Sequence, residues 1–179
     1  MKISADNAIN HFFSTPSFEM IYAEAVANSL DAGATEIDIS ISISALSNTD
    51  SLSLIIRDNG IGFNDENFRR FSFLMDNRDA MHKGLGRLIY LKYFSSVFVE
   101  SIYDNYHKRS FRFGDEINDL NVSESSYSNN FSKLVFEKFR ACKLNSYDNV
   151  VPEKIKSLLL ERFTPTFFNL KRDRTTIGG

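Results

Sequence analysis

The spacing of apolar residues changes several times along this chain, and each change predicts an element. From residue 17 the run FEMIYAEAVANSLDAG places Phe18, Ile21, Tyr22, Ala25 and Ser29 on one stripe at helical spacing. Ser14 or Ser17 stands where an N-cap belongs, and Gly33 sits just past the end, where helices commonly stop. The period then becomes two. Ile37, Ile39, Ile41 and Ile43 alternate with Asp38, Ser40, Ser42 and Ser44, which predicts a half-buried strand. Beyond a polar turn around Asn48-Thr49-Asp50, SLSLIIRDNG predicts a second strand with Leu52, Leu54, Ile56 and Asp58 on one face, at a spacing compatible with a hairpin. After Gly62 a weakly periodic helix (Phe68, Phe71, Phe73, Leu74) gives way to a loop, MDNRDAMHKGLG. Residues 87–94 predict a short apolar helix, and SSVFVESIY and HKRSFRFG two strands that turn at Asp104-Asn105. A polar loop over 123–130, a strand over 133–139 and an amphipathic helix over 153–163 follow, and the tail from Thr164 reads as the start of a strand that trails off. Helix, strands, helix and more strands predict an α+β fold built on a largely antiparallel sheet.

Composition narrows the class. The chain has 179 residues, 42% apolar and 25% charged, which predicts a single domain over 1–179, with 164–179 as the start of a linker or second domain. Seventeen Phe and no Trp predict a Phe-rich core. Twenty-one basic against 23 acidic residues leave a net charge of −2, so no strong field draws the chain to nucleic acid or anionic lipid. A single cysteine, Cys142, excludes a disulfide framework within the chain. No apolar run reaches the roughly 20 residues of a membrane span, and the start, MKISADNAINHFF, has no apolar signal core. A cytoplasmic protein without membrane contact is expected. His11, His82 and His107 are scattered without ligand spacing, so no dedicated metal cage is expected.

Three features bear on chemistry. Glu24, Asn28 and Asp31 project from one narrow edge of the first helix, beside its apolar stripe; most helix carboxylates are simply a solvated face, and that is the ordinary reading. Asp58-Asn59-Gly60-Ile61-Gly62 ends the second strand. Period-two alternation aims Asp58 at the side expected to be buried, where a carboxylate is costly unless something donates hydrogen bonds to it, an exocyclic amine of a base for example. An ordinary Asp-Asn-Gly turn is the plain alternative. Lys83-Gly84-Leu85-Gly86-Arg87 opens the short apolar helix; glycines before a helix start expose free N–H groups to an anion, or serve merely as a hinge. The spacing matches neither a Walker A loop nor a Rossmann fingerprint.

In this order and spacing, AEAVANSLDAGATEIDI, IIRDNGIGF and KGLGRLIYLKYF resemble the GHKL ATPases (gyrase, heat-shock chaperone, histidine kinase, MutL), or Bergerat fold, and are most similar to MutL and MORC-type members. The resemblance covers about residues 17–100. It implies a two-layer α/β sandwich, a mixed and mostly antiparallel sheet with helices on one face, that binds ATP with Mg²⁺ and hydrolyses it. Glu24 would be the general base that orients water, Asn28 the Mg²⁺ ligand, and Asp31 a support near the nucleotide. Asp58 would accept from the adenine amine, Gly60 and Gly62 would let backbone pass the nucleotide, and Lys83, Gly84, Leu85, Gly86 and Arg87 would wrap the phosphates. Ser132 is the candidate for the late-strand hydroxyl that family members place near adenine. Phosphoryl transfer needs mostly positioning and charge compensation, which such a set supplies.

The resemblance further implies that nucleotide state, ATP or ADP, drives lid closure or dimerisation. A homodimer formed on ATP binding, a partner or a downstream domain would complete the site, and any role in DNA transactions or antiphage defence would reach nucleic acid only indirectly. A switch that holds ATP without turnover, or a kinase-type domain, is the alternative. Two departures stand out. The lid region, 64–83, carries Asn77, Arg78, Asp79 and His82 in place of the Ser-Lys element of MutL. The transducer domain that follows in MutL, gyrase and the chaperones is expected outside these 179 residues.

Overall fold

A computed structural model describes residues 17–44, 51–76, 86–140, 144 and 147–175. The elements run α1 (Glu19–Asp31), β1 (Ile37–Ser42), β2 (Ser53–Asp58), α2 (Asp65–Asp76), α3 (Leu88–Tyr93), β3 (Phe94–Tyr103), β4 (His107–Phe113), β5 (Ile117–Glu124), β6 (Phe131–Phe139), a 3-10 turn (Tyr147–Val150) and α4 (Pro152–Thr175). The strands form one sheet in the order β1-β2-β6-β3-β4-β5, with every pairing antiparallel. This is the α+β architecture expected.

The apolar stripe of α1 does what its spacing predicts: Phe18, Ile21, Tyr22, Ala25 and Ser29 are all buried. Its start differs. Phe18 occupies the N-cap position with no side-chain cap, and Ser17 contributes its carbonyl, which accepts from the Met20 N–H. Ser14 lies outside the described residues. At the other end the Ala32 and Gly33 N–H groups close on Asn28 and Leu30 carbonyls, and Gly33 takes φ +74°, where a glycine is favoured. Asp104 and Asn105 also take positive φ, which turns β3 into β4.

Across β1, β2, β6, β3 and β4 the inward positions fall into rows. One is Ile41–Leu54–Phe136–Val97–Phe113, and the next Ile39–Ile56–Leu134–Val99–Phe111. Buried or half-buried apolar side chains fill both, and α1 and α3 pack among them with Phe94 and Phe139. Phe63, Phe68 and Phe71 seat α2 on Phe111 through ring contacts of 5.1–5.4 Å. The Tyr22 hydroxyl donates to the Asn149 carbonyl at 2.7 Å and so ties α1 to the turn before α4.

Two expectations are corrected. Residues 117–122 form most of an unforeseen edge strand, β5, which also takes in 123 and 124 from the expected loop. Seven of its eight residues are exposed, so it has no buried face to imprint a period. The tail from Thr164 is not a strand: α4 continues to Thr175 with Pro165 inside it. Proline removes one helical N–H there, and the Thr164 hydroxyl donates to the Leu160 carbonyl one turn back. No described helix is long and apolar enough to cross a membrane.

Candidate functional site

The third inward row of the sheet is polar. Ile37 is followed by Asp58, Ser132, Ser101 and Arg109 on adjacent strands, and these four are 0–6% exposed. A buried carboxylate needs donors. Asp58 has two within the fold: the Ser29 hydroxyl at 3.1 Å on Oδ2 and the Gly60 N–H at 2.9 Å on Oδ1. Burial still pushes its carboxyl above the ordinary range, and the two hydrogen bonds offset this only in part. A carboxylate has about four lone-pair sites, so acceptor capacity remains for a further donor. Ser132 stands directly across from Asp58 on β6, buried.

Beyond Asp58 the chain must turn under α1 and against β3 at once. The Asn59 side chain accepts from the Thr35 and Glu36 N–H groups, and the Ile61 N–H reaches the Ala32 carbonyl. A Cβ on Gly60 would lie 2.9 Å from that same Ala32 oxygen and from Asp58 Oδ1. Gly62 takes φ +77°, and a Cβ there would lie 2.5 Å from the Ile102 carbonyl and 2.7 Å from Ser101 Oγ. The glycines are therefore required by the close approach itself. Ser101 then receives the Phe63 N–H at 2.8 Å. Arg109 donates to the Phe63 carbonyl at 2.6 Å and to Asp65 at 2.5 Å, which anchors the start of α2. A polar cavity of about 510 Å³ opens at this end of the sheet, with Asp58, Asp38, Arg57 and Asn130 in its wall.

The second cluster lies one turn back along α1. Asn28 donates from Nδ2 to Glu24 Oε1 at 3.2 Å, a pairing allowed by the four-residue spacing. The Glu24 carboxylate rests on Gly86: a Cβ at that residue would lie 2.6 Å from Oε1 and closer still to Cδ and Oε2. Burial pushes the Glu24 carboxyl upward; the Asn28 hydrogen bond and the charges of Arg87 and Arg162 oppose the shift, and Asp31 adds to it. Asp31 itself is exposed at the end of α1. Burial draws the Arg87 guanidinium down to about 10, against the opposing pull of Tyr90 and Glu24.

Most of the expected site residues fall into these two groups, which α1 joins: Ser29 holds Asp58, and its neighbour Asn28 holds Glu24. Lys83, Gly84 and Leu85 lie outside the described residues. Arg87, expected around phosphate, instead donates to the Phe71 carbonyl at 2.9 Å and lies 4.0 Å over the Phe71 ring, so it ties the start of α3 to α2. Its burial explains this choice: a guanidinium with 7% exposure takes the nearest carbonyl and ring face. Three further residues contribute: Ser29, Ser101 and Arg109. Ser29 lies on the apolar stripe of α1, which gives no sign of a polar role. Ser101 and Arg109 carry a readable signal, because alternation from Val97 and Val99 and from Phe111 and Phe113 puts them on the buried face.

The fold is shared with known proteins. The chain aligns with the 43K ATPase domain of Thermus thermophilus gyrase B, crystallised in complex with an aminocoumarin, at TM-score 0.55 and 18% identity over 83% of this chain and 42% of that one. It aligns with the N-terminal domain of a DNA repair protein at TM-score 0.51 and 16% identity over 92% of this chain and 44% of that one. At these identities the likeness is one of fold, and the chain spans less than half the length of either. No curated protein matches it. The profile of the histidine kinase-, DNA gyrase B- and HSP90-like ATPases, however, matches residues 16–133, a stretch that takes in Glu24, Asn28, Asp58, Gly86 and Ser132 together. With its buried carboxylate at the strand end and its Glu-Asn pair on the facing helix, the chain belongs to that ATPase family.

Proposed function

We propose that this domain binds ATP with Mg²⁺ between α1 and the sheet and hydrolyses it. The carrying observation is the Glu24–Asn28 pair seated on Gly86, with Asp58 held by Ser29, the next residue on the same helix. Asp58 takes the adenine amine, since it is buried, keeps free acceptor sites and lies beside the Ser132 hydroxyl. Glu24 is the general base. Burial raises its carboxyl above the ordinary range, which makes it a stronger base.

The donor set suits Mg²⁺. Asn28 spends one amide N–H on Glu24 and keeps its oxygen, a hard donor. Mg²⁺ keeps several waters and binds few protein groups, so one amide oxygen beside phosphate oxygens suffices. When bound, Mg²⁺ supplies charge compensation to the phosphates. Asp31 adds negative charge near that end, and Lys83, Gly84, Leu85 and Gly86 are the residues assigned to the phosphates.

Nucleotide state is read out through α2. Arg87 links it to the phosphate end and Arg109 to the adenine end, so both halves of the site hold the helix that opens the lid region. Closure of that region, and association with a second copy or a partner, are the outputs. With a net charge of −2, any action on DNA passes through what the domain joins.

The test is calorimetry with ATP, with and without Mg²⁺, followed by phosphate release from wild type and Glu24→Ala. Binding strengthened by Mg²⁺, and release lost in the variant while binding persists, are expected. Equal release from both proteins would reassign the domain as a switch without turnover; absence of ATP binding would refute the proposal outright.

A further inference from the structure

Tyr90 is 2% exposed on the single turn-and-a-half of α3, directly after Gly86 and Arg87. Its ring meets Phe136 edge-on, with centroids 5.1 Å apart. A phenylalanine would make that contact equally well, so packing does not explain the hydroxyl. The oxygen is buried, and it closes no hydrogen bond of normal geometry. A buried hydroxyl left this way is costly, and such groups in native proteins are uncommon. Its surroundings point to the candidate site: Gly86, four residues before Tyr90 and so one turn back along the chain into α3, touches the Glu24 carboxylate that Asn28 holds, and Glu24, Asn28 and Arg87 are the groups that bear on the Tyr90 hydroxyl.

Asn28 has two amide N–H groups, and the structure uses one, toward Glu24. The second is free to meet an acceptor, and a phenol oxygen is one. We propose that Tyr90 is a positioning residue for the metal-binding amide: its oxygen receives the second N–H of Asn28, which leaves the amide oxygen as the only atom that can face the cation. Glu24 fixes one hydrogen of the amide group and Tyr90 the other, so the side chain is held against rotation from two sides. The phenolic O–H remains to donate toward the Glu24 carboxylate, closing a ring of three side chains drawn from two elements. An amide locked this way offers Mg²⁺ an oxygen already oriented, so less order is lost on binding. The inference rests on the Mg²⁺·ATP reading above and deepens it by naming the group that aims the ligand.

The experiment compares wild type, Tyr90→Phe, Asn28→Ala and the double variant by calorimetric titration of ATP at several Mg²⁺ concentrations, with metal-free ATP affinity, thermal midpoint and hydrogen exchange of the Asn28 side-chain amide as companion readings. Tyr90→Phe is expected to keep its ring contact with Phe136 and to melt as a folded protein, because only the hydroxyl is removed. It should raise the Mg²⁺ concentration for half-maximal tightening roughly fivefold and speed exchange of the Asn28 amide. On the Asn28→Ala background the Tyr90 effect should vanish. Wild-type Mg²⁺ dependence in Tyr90→Phe, or an equal loss with and without Asn28, overturns the proposal. If wild type itself shows no Mg²⁺-dependent ATP binding, the underlying reading has failed, and that is seen before any variant is compared.

Discussion

Gly86→Ala separates catalysis from folding at one carbon atom. The added Cβ would sit 2.6 Å from Glu24 Oε1, with Cδ and Oε2 closer still. Non-bonded carbons settle at roughly 3.5 Å, so the carboxylate must retreat by about 1 Å. Gly86 is not at positive φ, so alanine meets no backbone strain and even reduces the freedom of the unfolded chain. The obstruction is the far end of a flexible side chain, which can swing aside at small cost. Stability should therefore change by less than about 1 kcal/mol. What swings aside, however, is the proposed base together with its Asn28 partner. A misplacement of about 1 Å costs on the order of 100-fold in rate, or roughly 2.7 kcal/mol of barrier. The assay is phosphate release at saturating Mg²⁺·ATP, paired with calorimetric ATP affinity and a thermal melt. The expected result is turnover down by about two orders of magnitude, ATP binding retained through the Asp58 end, and an unchanged midpoint. Wild-type turnover from a folded Gly86→Ala protein would refute the reasoning, because Glu24 would then have been displaced without consequence.

Other perturbations probe the remaining contacts. Asp58 and Glu24 both titrate above their unfolded values, so each contributes stability that is full below the unfolded pKa of about 4 and lost as pH rises through the raised folded value. Asp58→Asn should therefore melt higher than wild type at pH 7 while binding ATP at least tenfold more weakly by calorimetry; a lower midpoint would contradict the assigned burial cost. Turnover should fall as acid protonates Glu24, with the limb raised by burial and by Asp31 and held back by Asn28, Arg87 and Arg162, and should lie above the ordinary carboxylate range; a limb at that range or below it rejects Glu24 as the group observed. Arg109→Met strands the Phe63 carbonyl and frees Asp65, which should cost about 2 kcal/mol, read as a lower urea midpoint with unchanged slope. An unchanged midpoint would mean that the glycine-rich turn holds itself.

How legible the molecule was depended on whether a residue faces one environment or two. β1, β2 and α1 each have an apolar side and a wet side, so Ile37, Ile39, Ile41, Leu54, Ile56 and the α1 stripe announce both period and direction. β5 has no buried side, and its residues carry only the imprint of solvent. α4 runs on past the amphipathic stretch 153–163 into the tail, through a proline that local chemistry disfavours inside a helix. At the site, Glu24, Asn28, Asp58 and Gly86 were legible because their spacing and types recur in the family's motifs. The partners of Ser29 and Arg109 were not, since each lies far along the chain: Ser29 reaches 29 positions to Asp58, and Arg109 reaches 46 positions to Phe63.

The same division explains why the polar row can exist at all. Asp58, Ser132, Ser101 and Arg109 occupy inward positions that two neighbouring rows fill with Leu, Ile, Val and Phe. Four buried polar side chains in register are destabilising unless each is matched. Ser101 is matched internally through Phe131 and Phe63, and Arg109 spends both terminal nitrogens on Phe63 and Asp65, with only its buried Nε left over; together they fix the glycine-rich turn. Asp58 is matched only in part, by Ser29 and Gly60, and its carboxyl stays raised. If the row served stability alone, Asp58 would be its weakest choice, and an apolar residue continuing the Leu54–Ile56 face would hold the fold better. A partly satisfied carboxylate is what a site for an incoming donor requires. The stability gained by Asp58→Asn and the nucleotide affinity lost with it therefore measure the same unmet hydrogen-bonding capacity, once in the empty protein and once in the complex.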